Sequence, residues 1–387
     1  MERITGDWLQ ADGAQRVMLM LEEAGFQALA VGGCVRNALL GALVADVDIS
    51  TDARPQKVME LAKQAGLKAV PTGIDHGTIT VVSEGEPYEI TTFRADIETD
   101  GRRAVIRFAD EVAEDAIRRD FTMNALYADR TGRVIDPLGG LPDLKARRFR
   151  FIEDADRRIR EDYLRILRFF RFAAWYGDPS EGMDAEALSA IASNLDGLDQ
   201  LSRERVGSEI VKLLSAPDPT MAVFVMEQTG VLARVLPGAV AKPLGPLVMN
   251  EGTLKLAPDG LRRLVTLGFS DGASLRLSKV QQRQIELYQR LIMSQESSRD
   301  LAYRHGARAA CEALAMQAAS LEQPVILPDH RALEAAETAK FPITAKDLMP
   351  DFSGAALGAR LKELEAAWIT SDFALSKAEL LSSHNKG

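Results

Sequence analysis

Ala28-Leu29-Ala30-Val31-Gly32-Gly33-Cys34-Val35-Arg36-Asn37-Ala38-Leu39-Leu40-Gly41, followed after a short spacer by Asp46-Val47-Asp48-Ile49-Ser50, is the densest stretch of the chain. An apolar run of strand length ends at paired glycines, and a helical pattern opens on them. Backbone without a Cβ can approach a phosphate closely, and a helix N-terminus favours that anion. The paired glycines, Gly33 included, are therefore a candidate phosphate contact, with Arg36 three residues on. The stretch is neither a dinucleotide fingerprint nor a P-loop, because the third glycine spacing and the Gly-Lys-Ser/Thr are missing. Val47–Ser50 reads as a second strand, with Asp46 and Asp48 at i and i+2 on one face. Two carboxylates beside a phosphate cradle suit Mg²⁺, which takes oxygen ligands together with substrate phosphates.

Outward from this stretch, two textures meet near residue 145. Before it, Ala28–Val31, Thr78–Val82, Tyr88–Thr92 and Val134–Ile135 join Val47–Ser50 as strands, and Pro55 opens a helix that Gly66 stops. After it, Glu161–Trp175, Ala185–Leu195, Arg203–Leu214, Thr220–Gln228, Lys279–Met293, Ala309–Leu321 and Gly358–Thr370 all carry helical spacing. Strands followed by helices predict an α+β class: a head with a small mixed sheet, then an all-α remainder. We read residues 1–145 as the head, 146–215 as a helical neck and 216–387 as body and tail. Joints are expected at Asp178-Pro179, Pro237-Gly238 and Pro324–Pro328.

Composition narrows the class. No apolar run approaches the roughly 18 residues a membrane span needs. Two cysteines in 387 residues are too few for a disulfide framework or a cysteine zinc site. A reducing, cytoplasmic setting is the expectation, with no membrane and no obligate protein partner called for. The net charge of −9 argues against indiscriminate nucleic-acid binding. Between Arg147 and Arg171, however, nine arginines face five acids, so this segment is locally basic on an acidic chain. That pattern fits one defined anionic ligand.

Two further stretches stand out: Arg118-Arg119-Asp120-Phe121-Thr122-Met123-Asn124-Ala125, and Glu161-Asp162-Tyr163-Leu164-Arg165-Ile166-Leu167-Arg168. On a continuous helix Asp162 and Arg165 would be neighbours at i, i+3, and such a pair matches the hydrogen-bonding edge of an unstacked base. Arg168 and Arg171 continue at spacing three, within reach of phosphates. Ile166, Phe169, Phe170 and Ala173 read as core.

Together with Ser202-Arg203-Glu204-Arg205 and Glu209, these motifs resemble, in order, those of the class II CCA-adding tRNA nucleotidyltransferase and poly(A) polymerase family, within the polymerase-β-like superfamily. The resemblance implies a nucleotidyltransferase head and template-independent addition of CCA to a tRNA 3′ end from CTP and ATP, releasing pyrophosphate. It implies two Mg²⁺ ions (or Mn²⁺) on Asp46 and Asp48, roughly 3.5–4 Å apart. It makes Glu89 a third carboxylate, gives Asp162 and Arg165 the choice of base, and puts Arg36 and Arg119 on triphosphate or ribose. A poly(A) polymerase or an enzyme adding only the final A are the alternatives within the family. A silent RNA-binding protein or a small-molecule nucleotidyltransferase are the alternatives outside it. Residues Ile97–Phe108 are expected to form a mobile loop, and His76 to sit in a turn. One departure is Asn37, where many members have Asp.

Overall fold

The structure, a computed structural model, describes residues 2–99 and 104–382; the side chains of residues 96–106 are outside it. Seven strands form the main sheet: β1 (Leu29–Val31), β2 (Asp48–Thr51), β3 (Lys68–Gly73), β4 (Thr78–Ser83), β5 (Glu86–Thr92), β8 (Tyr127–Ala128) and β9 (Val134–Ile135). Their spatial order is β3-β4-β5-β2-β1-β8-β9. Only β2 and β5 pair in parallel, which makes the sheet mixed. Alternation sets its faces: Ile79, Val81, Tyr88 and Ile90 are buried, whereas Glu86 and Glu89 are exposed. Helices α1 (Asp12–Glu23), α2 (Gly33–Leu40) and α3 (Pro55–Gln64) complete the first half of this layer. Pro55 does stand at the first position of α3, and Gly66, at φ +71°, lies just past its end.

A second small sheet corrects one expectation. β6 (Arg94–Thr99) and β7 (Ala104–Phe108) pair antiparallel, so most of the segment read as a loop at Ile97–Phe108 is a hairpin. The Asp100-Gly101-Arg102-Arg103 part of that reading lies outside the described residues. His76 closes a single 3₁₀ turn, as expected.

Helix α4 (Val112–Ile117) leads to the Arg-Arg-Asp-Phe-Thr stretch, and α5 (Ala155–Glu161), α6 (Leu164–Tyr176) and α7 (Arg203–Leu214) follow. A buried aromatic cluster joins these parts. The Phe121 ring lies 4.8 Å from Phe151, 5.7 Å from Phe172 and 6.2 Å from Phe169, and Phe149 stacks on Phe172 at 5.8 Å. Such rings bury large areas, and truncating one costs about 3–5 kcal/mol. Ile166, Phe169 and Phe170 are buried; Ala173 is half-buried.

The chain divides into two compact units at Pro237/Gly238, one of the expected joints. The second unit is helical among its described residues. Its core holds an ionic knot: Glu251 accepts from Arg262 at 2.8 Å and Arg263 at 2.7 Å, and Glu312 accepts from Arg262 at 3.2 Å. All four side chains are buried. No helix of the described residues is long and apolar enough to cross a membrane.

Candidate active site

Gly32 makes the site possible. It has φ +70° and ψ −116°, and α2 starts from it. A Cβ there would lie 3.3 Å from Arg119 Nη1 and 3.6 Å from the Asn124 carbonyl. Only glycine takes this backbone without strain. Of the glycine pair, Gly33 begins the helix and Gly32 meets the conformational demand.

The sheet order brings the carboxylates together. Asp48 begins β2 and stands opposite Glu89 of β5 in the parallel register, with the buried pair Ile49 and Ile90 next along. Asp46 lies before the strand rather than on it. Its backbone carries no ladder bond in this strand, so the i, i+2 argument does not fix its direction. Asp48 is nonetheless electrostatically coupled to both acids. Its carboxyl is pushed above the ordinary range, first by lost hydration and then by the charges of Glu89 and Asp46, with Arg119 opposing. Among the described residues no three His, Cys, Asp or Glu side chains form a ready-made metal cage. The oxygen-only set still fits Mg²⁺, which is held by one or two carboxylates and completed by waters and substrate phosphates.

Arg119 is fixed by four groups around it. It donates to Asp115 at 3.1 Å, to the Tyr127 hydroxyl at 3.1 Å and to Ser50 Oγ at 3.4 Å, and its guanidinium lies 5.3 Å from the Tyr127 ring. Asp115 also accepts from Arg118 at 2.8 Å and from the Tyr127 hydroxyl at 2.8 Å. Burial works to raise the Asp115 pKa, but the charges of Arg119 and Arg118 and the Tyr127 hydroxyl pull it down to about 2.

Asp120 accepts from its neighbour Phe121 N at 2.9 Å, from Asn124 at 3.0 Å and from Arg168 at 2.7 Å. Burial again opposes ionisation, and Arg168 and Asn124 outweigh it, holding the carboxyl well below the usual range. Asn124 in turn accepts from Arg36 Nη1 at 2.6 Å. Arg36 is only 5% exposed.

The helix read as continuous over Glu161–Trp175 is broken at Asp162, whose backbone is extended (φ −157°, ψ 102°) between α5 and α6. Asp162 and Arg165 therefore do not share a helix: the Arg165 amide donates to the Asp162 carbonyl at 3.0 Å, but their side chains do not pair. The Asp162 carboxylate accepts from Arg205 at 2.6 Å and from Leu164 N at 3.1 Å, the latter satisfying an amide near the start of α6. Arg165 donates to Glu161 at 2.6 Å and to the carbonyls of Arg158 at 2.7 Å and Arg118 at 3.1 Å. Arg171 donates to buried Glu209 at 2.6 Å. The Asp162 and Arg165 side chains are thus each held by a further motif residue, Arg205 and Glu161 respectively. Both partners had appeared in the quoted motifs; their roles had no signal of their own.

Asn37 resolves the one departure. Its Oδ1 accepts from Arg36 Nε at 3.2 Å and Nη2 at 2.8 Å, while its Nδ2 donates to the Leu43 carbonyl at 2.8 Å. An aspartate would keep the first contact and lose the second.

Residues 28–150 match the poly A polymerase head domain family, and residues 182–242 match a probable RNA and SrmB-binding site of polymerase A. The chain is 40% identical over 228 residues to the CCA-adding enzyme of Geobacillus kaustophilus, covering 58% of this chain and 54% of that one. It is 40% identical over 259 residues to the CCA-adding enzyme of Lactobacillus delbrueckii subsp. bulgaricus, covering 66% and 62%. These matches thus span 54% and 62% of the two relatives' lengths. Among solved structures, the Bacillus stearothermophilus CCA-adding enzyme in complex with CTP superposes with a TM-score of 0.77 at 27% identity over 93% of both chains. In its motifs, its head-domain match and its fold, the chain is similar to CCA-adding enzymes and to the poly(A) polymerase head domain.

Proposed function

We propose that the chain is a template-independent nucleotidyltransferase that adds C, C and A to the 3′ end of tRNA from CTP and ATP, releasing pyrophosphate. The observation that carries this reading is the facing of Asp48 and Glu89 across parallel strands beside the Gly32 turn, with Arg119, Arg165 and Arg168 held nearby by carboxylates of the same unit. The similarity to a CCA-adding enzyme solved with CTP supports the nucleotide class. We assign residues 1–145 to transfer, 146–215 to recognition of the base and 216–387 to holding tRNA.

Asp46 and Asp48 would hold Mg²⁺ (Mn²⁺ fits the same oxygens), with Glu89 alongside. The metal supplies acidity to the attacking hydroxyl and charge neutralisation at the leaving pyrophosphate. The protein's own work is positioning. The Gly32 turn lets a triphosphate lie against backbone amides at the start of α2. Arg119 keeps its charge through Asp115 and Tyr127, so it is ready for a phosphate or ribose oxygen without reorganisation. Asp162 and Arg165 present an acceptor and a donor to the base edge. No serine, cysteine or histidine nucleophile is needed, because phosphoryl-type transfer rests on orientation and electrostatics. Both cysteines are buried, and the Cys34 thiol is pushed up to about 11, mainly by burial. We place the protein in the cytoplasm, where its substrates are.

The test uses tRNA transcripts ending at the discriminator base, at –C and at –CC, with Mg²⁺ and each nucleotide alone and together. CTP alone should extend the first transcript by two, and ATP should then add one residue and stop. An unlimited ATP ladder on any RNA would make the chain a poly(A) polymerase. ATP used only on the –CC transcript would make it the second enzyme of a pair.

A further inference from the structure

Arg36 lies on α2 but is enclosed by α6. Its guanidinium sits 4.3 Å from the Tyr176 ring and 5.0 Å from the Phe172 ring. Three of its nitrogens already donate, Nη1 to Asn124 and Nε and Nη2 to Asn37. It is 5% exposed, and burial lowers its pKa from the ordinary arginine range, with Tyr176 counteracting. A side chain meant for a triphosphate keeps a terminal nitrogen for it: the bonds of Arg119 use Nε and Nη2, whereas those of Arg36 use all three nitrogens. Arg36 spends its donors on amides and lies against aromatic rings instead. Tyr176 is the last residue of α6, outside every motif quoted above.

We propose that Arg36 is a positioning residue rather than a phosphate ligand, and that Tyr176 is the partner through which it acts, fastening the glycine-capped helix α2 to the arginine-bearing helix α6. The proposal deepens the reading of the site as a nucleotidyltransferase centre and rests on it. The mechanical consequence follows from what each helix carries. The chain runs directly from β1 through the Gly32 turn into α2, and β1 pairs with β2, whose first residue is Asp48. From α6 project Arg165, Arg168 and Arg171. A cation held between aromatic rings and two amides fixes both the distance and the rotation of α6 against the carboxylates. It ties phosphate alignment to base recognition without touching the substrate.

The experiment is a double-mutant cycle with Arg36→Met, Tyr176→Leu and both together, reading C addition to a transcript ending at the discriminator base. The conservative Tyr176→Phe is run beside them. Each single change should lower kcat about tenfold, the size of a desolvated cation–π contact. KM for CTP and inhibition by pyrophosphate should stay within about twofold, because no phosphate contact is lost. The double variant should be no worse than Arg36→Met, since both remove one coupling. Tyr176→Phe, which keeps the ring, should recover most of the rate. The opposite result is a rise of about tenfold or more in KM and in the pyrophosphate inhibition constant for Arg36→Met, with Tyr176→Leu near wild type. That would make Arg36 a phosphate ligand and overturn the proposal, as would effects that multiply. The same cycle read by thermal unfolding should show the same non-additivity. If the wild-type protein transferred no nucleotide, the functional reading would fail, while additive Tm shifts would separately refute the Arg36–Tyr176 coupling.

Discussion

The strand side and the helix side of the site handle charge in opposite ways. On the strands, Asp48 stands opposite Glu89 with Asp46 close by, and its carboxyl is driven upward by burial and like charge. On the helices, four motif arginines are matched by a carboxylate: Arg165 with Glu161, Arg168 with Asp120, Arg171 with Glu209, and Arg205 with Asp162. The acidic face is left short of positive charge, which a metal and its phosphates would supply. The basic face is balanced from within, which keeps its arginines oriented before any substrate arrives. One side is built to recruit charge and the other to hold shape.

The largest effect that would break this contrast is loss of a strand acid. Asp46→Ala should lower transfer by about a thousandfold or more, the weight of losing a metal's several kcal/mol. Retention of tRNA on a filter should stay within about threefold, and substantial remaining transfer would refute the metal assignment. On the helix side the expected loss is of stability. Asp120→Ala strands Arg168 without its counter-charge, at about 3 kcal/mol in urea unfolding; a change under about 0.5 kcal/mol would show that the pair is not structural.

A smaller effect separates the two sides by pH. The folded-state pKa of Asp115 lies below its unfolded value, so its contribution to stability is present above about pH 4 and is lost as the pH falls toward 2. Asp115→Asn should flatten the acid limb of the stability curve over that window, and an unchanged limb would exclude Asp115 as a contributor. Raised Asp48 has the opposite sign, so Asp48→Asn should stabilise the protein slightly at neutral pH. The smallest change is Asn37→Asp. It keeps the acceptor for Arg36 and loses the donor to Leu43, so C addition should fall by at most about fivefold, the worth of one hydrogen bond. A larger fall would show that the Leu43 tie governs the approach to Asp46.

Much of the fold was readable because pattern and burial agree. Arg203–Leu214, Thr220–Gln228 and Lys279–Met293 begin and end where their spacing predicts. What was missed has local reasons. β3 is an edge strand containing Pro71, and its mostly exposed residues give no alternation to detect. The break at Asp162 is silent because buried Ile159 and Ile166 keep helical spacing across one extended residue. At the site, residue types that carry charge were legible from motif spacing. Asp115, Tyr127 and Tyr176 were not, because a residue that acts by holding another has no pattern of its own.

The division of labour between the two faces is tested most directly by assaying Asp48→Ala and Arg165→Ala side by side, with CTP, ATP, UTP and GTP offered singly to a transcript ending at the discriminator base. The account predicts no product from Asp48→Ala with any nucleotide. Arg165→Ala should still extend the transcript and should now accept UTP or GTP. Equal loss of all transfer in both variants, with no misincorporation by Arg165→Ala, would contradict it.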